Sequence, residues 1–231
     1  MVAFAGPDPI AVLIGAKRSS ATLIHKIAVH PDHVRQGHGR HLLTSLSSKL
    51  AILGPPRIVV EVPEPLAPAR ALFAASGFAE EARLIDYVLN LAEIEAPPTA
   101  GLVIPITIDD LAANGLLEGT HAQVCWSRSI ETLIARKDHI AGVAVASDER
   151  IEAYLLYEKC ESAADVLSLR SHVEDGGARL KQLLVSLRSQ DVTNLRFPKV
   201  HPGEMSKELA EALGFRSVAA HFLYAARARS N

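Results

Sequence analysis

The chain has 231 residues, 48% of them hydrophobic and 22% charged, enough apolar material to bury a core and too much for a disordered chain. Lys and Arg number 24 against 26 Asp and Glu, a formal net charge of -2, so there is no cation excess to neutralise nucleic-acid phosphates. Apolar runs break well before the ~18 residues of a membrane span, Asp8 and two early prolines are unlike a secretory leader, and Cys125 and Cys160 are too few for a disulfide framework or a zinc site.

In chain order, residues 10–15 and 22–29 read as strands, and 39–53 as a helix with Leu42, Leu43, Leu46 and Leu50 at 3/4 spacing. Gly54, Pro55 and Pro56 stop that helix. Residues 57–62 form a β-branched strand, 68–76 a short helix and 83–91 a further strand. A seam is expected at 92–100, where Pro97 and Pro98 favour extended backbone between two apolar segments. Beyond it come a strand at 102–108, helical material over 108–135, and strands near 141–146, 151–157 and 165–171. A helix over 178–189 shows Leu180, Leu183, Leu184 and Leu187 as its apolar stripe. Strand 194–199, helix 206–213 and strand 217–225 complete the pattern, which is α/β in class. The helix ending in Gly77 and Phe78 returns about 140 residues later as one ending in Gly214 and Phe215. An internal duplication accounts for this; two unrelated helix-Gly turns are the alternative. The expected domains are 1–94 and 101–231.

The segment that carries chemistry runs from Ile27, Ala28, Val29 through His30 and Pro31 to Val34, Arg35, Gln36, Gly37, His38, Gly39 and Arg40. It reads as a strand, a turn, a glycine-bearing loop and a helix start. Glycines at 37 and 39 let a ligand approach the main chain, and unpaired N–H groups at a helix start bind anions. Arg35 and Arg40 add positive charge. The residues alone therefore point to a phosphate or pyrophosphate held by backbone.

On these residues the chain resembles the GNAT superfamily of acyl-CoA N-acyltransferases, whose strand-Val-x-Pro and Arg/Gln-x-x-Gly-x-Gly/Ala loop binds the pyrophosphate of acetyl-CoA. Val34 stands where that pattern has Arg or Gln, and Arg35 is placed to substitute. The resemblance implies that Ile27, Ala28 and Val29 pair with the pantetheine arm and that Val34 to Arg40 hold the pyrophosphate. The family's downstream Asn and Tyr correspond to Leu66 and Phe73 here. Phe73 has no proton to give a leaving thiolate, so another group or solvent gives it, or this half does not catalyse. The back half looks like a second, degenerate GNAT fold: Asp175, Gly176 and Gly177 lie at its cofactor loop, with Glu174 and Asp175 set to repel a pyrophosphate. By the family's standard the front half is short. Fewer than about 25 residues precede its cofactor strand, against about 60 in the back half. The expectation is that the missing elements come from the back half or from a second copy in a homodimer, or that the natural start is earlier.

Acyl transfer to an amine needs that amine neutral, so a base or a water chain is required. Glu61, after an apolar strand, is the first candidate, against the alternative of an exposed carboxylate at a strand end. His25 is the second. By period-2 alternation it shares a face with Ile27 and Val29, pointing either into the cleft or to the opposite layer. In the family the stretch holding Trp126 and Arg128 shapes the acceptor pocket, which implies an aromatic wall and a cation for an acidic substrate. A lone Trp on an amphipathic helix is otherwise core. The histidine pairs His30/His33 and His38/His41 lack carboxylates, so no metal is expected. The sequence thus points to a cytoplasmic N-acetyltransferase that uses acetyl-CoA and acts on a small-molecule amine, with no nucleic acid or membrane partner. The rival is a non-catalytic acyl-CoA-binding or sensing protein.

Overall fold

The computed structural model describes residues 1–97, 101–117 and 124–229. Its elements run β1 (Val2–Ala5), β2 (Asp8–Lys17), β3 (Thr22–Val29), α1 (His38–Leu53), β4 (Arg57–Pro63), α2 (Ala67–Ala75) and β5 (Ala79–Asn90). Then follow β6 (Leu102–Pro105), α3 (Ile108–Ala113), α4 (Ile130–Ala135), β7 (Ala141–Ala146), β8 (Ile151–Cys160), β9 (Ala163–Ser171), α5 (Ala178–Ser186), β10 (Asn194–Val200), α6 (Lys207–Ala212) and β11 (Arg216–Arg227). The α/β class stands. Part of the expected helix over 108–135 and the end of the expected seam fall outside the described residues.

Two compact units emerge, and they do not follow the boundary drawn from the sequence. One contains Met1–Arg83 together with the chain from Ala220, and the other Leu84–Ala219. Each is completed by a strand from the other half of the sequence. In the first unit the strands lie in the order β1-β2-β3-β4-β11, with β11 antiparallel to β4 from His221↔Pro63 to Arg227↔Arg57. In the second the order is β5-β10-β9-β8-β7-β6, with β5 antiparallel to β10. A break at 92–100 would separate both of these ladders from their partners. Proline pairs show where the chain is extended; they carry no information on which strands pair.

Each unit has its own core. In the first, Leu42, Leu43, Leu46 and Leu50 of α1 and Phe73 of α2 cover Ala11, Leu13, Ile24, Ile58, Val60, Val62 and Tyr224 of the sheet. Pro68 in the first turn of α2 suits a position whose N–H has no helical partner. In the second, α5 and α6 cover one face of the sheet through Leu180, Leu183, Leu184 and Ala210. The other face lies under Ile108 and Leu111 of α3 and Leu133 of α4. Full burial of one such leucine is worth ~1.5–3 kcal/mol, which fixes these helices on their sheets.

Candidate active site

The first unit's site begins where two strands part. β3 and β4 are parallel and pair only at Thr22↔Ile58 and Leu23↔Val59. Just beyond, the β2–β3 register jumps from Gly15↔Ile24 to Ile14↔Lys26, so His25 is an extra residue in a β-bulge. A bulge bends its strand and raises the local twist, which turns the rest of β3 away from β4. The bulge also breaks the alternation expected for His25. Ile24, Ile27 and Val29 face the core, and His25 is exposed.

Past the bulge the main chain of β3 is sorted by its pairing with β2. His30 N–H bonds to the Ile10 carbonyl at 2.7 Å, and the register continues as Ala28↔Val12 and Lys26↔Ile14. Antiparallel ladders bond at alternate residues, so the N–H and C=O groups of Ala28 turn to β2 and those of Ile27 and Val29 turn to the open slot. Of the three residues expected to meet an extended arm, Ile27 and Val29 turn their main chain to the open slot, and Ala28 turns its own to β2.

The loop after β3 has the backbone geometry of an anion cradle. Arg35 has φ +66° and Gly37 φ +90°, and backbone N–H groups in such turns converge on one side. Gly37 is the N-cap of α1, with no side-chain cap and no carboxylate in the first turn. The first helical bond runs from His41 N–H to the Gly37 carbonyl at 2.9 Å, so the N–H groups of His38, Gly39 and Arg40 precede the ladder. The two glycines do different work. A Cβ on Gly37 would meet nothing within 4 Å, whereas one on Gly39 would stand 3.1 Å from Leu72 Cδ2 and 3.8 Å from Val29 Cγ2. Gly37 supplies the left-handed turn, and Gly39 lets the start of α1 lie against α2 and β3.

Around the cradle, Arg35, Gln36 and Arg40 are exposed, and Gln36 Nε2 donates to the Asp32 carbonyl at 3.2 Å. Val34 is 50% exposed. The rings of His30, His33 and His38 meet edge to face, 5.9 and 6.0 Å apart in turn, and His30 Nδ1 accepts from Asp32 N–H. Among the described residues no group of three or more His, Cys, Asp or Glu could hold a metal ion. Glu61 lies on β4 two residues past its last pair with β3 and is half-buried. Leu66, at the N-cap of α2, is 50% exposed, and Phe73 is buried against Phe78 with ring centroids 5.2 Å apart.

The second unit repeats this construction and alters its chemistry. β9 and β10 pair only from Asn194↔Ala163 to Arg196↔Asp165, and Leu167 is the bulged residue against β8. Gly177 is a left-handed N-cap to α5, and its Cβ would meet Leu209 of α6 at 3.2 Å, as that of Gly39 meets Leu72. Two residues before the glycine, however, Asp175 stands where the first unit has Arg35. Asp175 Oδ1 accepts from Gly177 N–H at 3.0 Å and Oδ2 from Arg179 N–H at 2.9 Å. The chain's own carboxylate thus fills the second cradle. Burial pushes the Asp175 carboxyl up, but the Arg179 N–H and guanidinium and the Gly177 N–H outweigh it and hold it below the usual range.

Residues 1–78 match the family model described as Acetyltransferase (GNAT) family. Among solved structures, the chain is similar to a tandem GNAT protein from the clavulanic acid biosynthesis pathway, with TM-score 0.67, 18% identity, and coverage of 100% of this chain and 82% of that one. The chain has a tandem GNAT fold. It is also similar to a GCN5-related N-acetyltransferase from Sphaerobacter thermophilus (TM-score 0.68, 13% identity, 97% of this chain and 78% of that). A third likeness is to one from Kribbella flavida (0.62, 12%, 94% and 87%). No curated protein matched. Together the family match and the GNAT fold support acyl transfer as the general activity.

Within the GNAT fold the residues expected to line an acceptor pocket prove to be different in kind. Arg128 is an interior residue of the second unit: its Nη2 meets Glu204 Oε2 at 2.7 Å, with side chains 0% and 2% exposed. Its guanidinium lies over the Phe197 ring at 4.5 Å and donates to the Lys199 carbonyl at 3.0 Å. Burial pushes the Glu204 carboxyl up, against the pull of Arg128 and Arg170. Sequence reasoning found the cation and missed its partner, because Glu204 lies 76 positions away with no pattern to link them. Trp126 is half-buried in a short 3-10 turn before α4. Among the described residues no helix is long and apolar enough to cross a membrane.

Proposed function

We propose that the chain is an N-acetyltransferase that moves an acetyl group from acetyl-CoA to an amine of a small molecule, using the first unit alone. The supporting observation is the coincidence of two features: the β3–β4 ladder ends after Leu23↔Val59, and the uncapped cradle at Gly37 opens beside it. An acyl-CoA presents an extended amide-bearing arm ending in a thioester, and a pyrophosphate at its other end. Ile27 and Val29 offer main chain to the arm, and the N–H groups from Gly37 to Arg40 suit the phosphates. The open space over Gly37 fits such an anion. Glu61, on the other bank of the slot, is the proton acceptor for the amine. A water route supplies the proton for the departing sulfur, since Phe73 is a core residue without a proton to give.

That same Phe73 favours a second reading, an acyl-CoA-binding protein that does not turn over. Calorimetric titration with acetyl-CoA, followed by thiol release over a panel of small amines, separates the two. One binding event per chain with turnover of at least one amine supports the transferase. Binding without turnover supports the sensor, and no binding removes both.

A further inference from the structure

Register decides which side chains share the face of the first unit's sheet turned away from α1 and α2. Ile58, Val60 and Val62 of β4 enter the core beneath those helices, as do their cross-strand partners Ala226, Tyr224 and Phe222 of β11. The alternate residues point the other way: Val59 and Glu61 on β4, His221 and Leu223 on β11. Glu61 pairs with Leu223, and His221 pairs with Pro63, so His221 is the diagonal neighbour of Glu61. Such neighbours have Cα atoms ~7–8 Å apart, within reach of long side chains. Both residues are half-buried. Glu61 borders the slot left by β3, and His221 lies one strand behind it.

We propose, on the reading of this site as an acetyltransferase, that His221 positions Glu61 and passes on the proton that Glu61 receives. The acceptor ammonium gives one proton to the Glu61 carboxylate. The neutral amine nitrogen then bonds to the thioester carbonyl carbon as the carbon–sulfur bond breaks. The nitrogen's second surplus proton reaches the sulfur through water, so that amide, thiol and one proton are released. An imidazole beside the carboxylate holds it towards the slot and returns the first proton to solvent. Of the charges around His221, Glu64, whose N–H donates to the Ala220 carbonyl next to it, is paired with Arg83 at 3.0 Å, and Arg70 lies on the opposite face of the sheet, its guanidinium over the Phe222 ring at 4.9 Å. His221 comes from the strand supplied by the end of the sequence, which is why no local pattern around Glu61 signals it.

The test compares wild type, His221→Ala, His221→Asn and Glu61→Gln on acetyl-CoA, with two nucleophiles. One is a protonated alkylamine from the panel, which needs a base; the other is hydroxylamine, which is uncharged at neutral pH and needs none. The Kd for acetyl-CoA should stay within about twofold in every variant. Glu61→Gln should lower kcat for the alkylamine ~100-fold and His221→Ala ~10-fold, each with little loss for hydroxylamine. His221→Asn, which keeps an N–H donor, should recover part of the loss, and His221→Ala should shift the acidic limb of the kcat profile. An unchanged kcat and pH profile in both His221 variants, with acetyl-CoA still bound, overturns the inference and leaves the transferase standing. Equal losses for both nucleophiles overturn it too. Absence of turnover by wild type removes the transferase reading, and this inference with it.

Discussion

Replacing Arg128 by leucine separates the structure's account of this residue from the one its sequence neighbourhood suggests. The substitution leaves Glu204 buried, with a side chain 2% exposed, and without its 2.7 Å partner. Breaking a buried pair from one side costs ~3–5 kcal/mol, because the remaining charge loses its bonded counter-charge. Loss of the guanidinium over Phe197 adds up to ~2 kcal/mol. For a chain of this size 1 kcal/mol moves Tm by ~2–4 °C, so a fall of ~6–28 °C is expected. Glu204→Leu should fall by a similar amount. The double variant should lie close to wild type, since a well-packed apolar pair of like volume is often neutral or better. Thermal melting of the four proteins gives the cycle, and acetyl-CoA titration of each should show an unchanged Kd. If Arg128→Leu melts with wild type yet loses turnover, Arg128 faces substrate and the buried-pair account is wrong.

Gly37→Ala places a methyl group in open space at φ +90°, so stability should fall only by the ~1–2 kcal/mol of a left-handed residue. Affinity for acetyl-CoA should drop at least tenfold, about 1.4 kcal/mol; an unchanged Kd by calorimetry would put the phosphates elsewhere. Asp175→Asn should cost ~1 kcal/mol at neutral pH, about the difference between a charged and a neutral acceptor for the bonds from Gly177 and Arg179. Asp175 is held below its unfolded value, so its contribution is present above about pH 4 and is lost as pH falls through the folded value. Urea melts of wild type and Asp175→Asn should therefore converge in acid; a constant gap would mean the carboxylate is not bonded at the start of α5.

The elements and the glycine-bearing turn into α1 were legible because both are local. The 3/4 spacing of Leu42, Leu46 and Leu50 gives α1, and the glycines at 37 and 39 mark its start. What escaped depends on pairing across the chain. The exchange of β5 and β11 between units leaves no mark in strand composition, since a strand is equally apolar whichever partner it meets. The bulge at His25 inverts the facing of everything upstream of it, and an alternation argument has no means to place the extra residue. Arg128 is a cation beside a Trp in either account; only the fold brings Glu204 to it. The opposition of Arg35 and Asp175 was readable as charge. That Asp175 fills its own cradle needed the geometry of Gly177 and Arg179.

On the proposed reading one acyl-CoA binds along β3 and the start of α1. Amide hydrogen exchange, with and without saturating acetyl-CoA, tests it most directly. The account predicts slowed exchange at Ile27 and Val29 and across Gly37 to Arg40, with no change across Asp175 to Arg179. Protection of the second cradle, or none along 27–40, would contradict it.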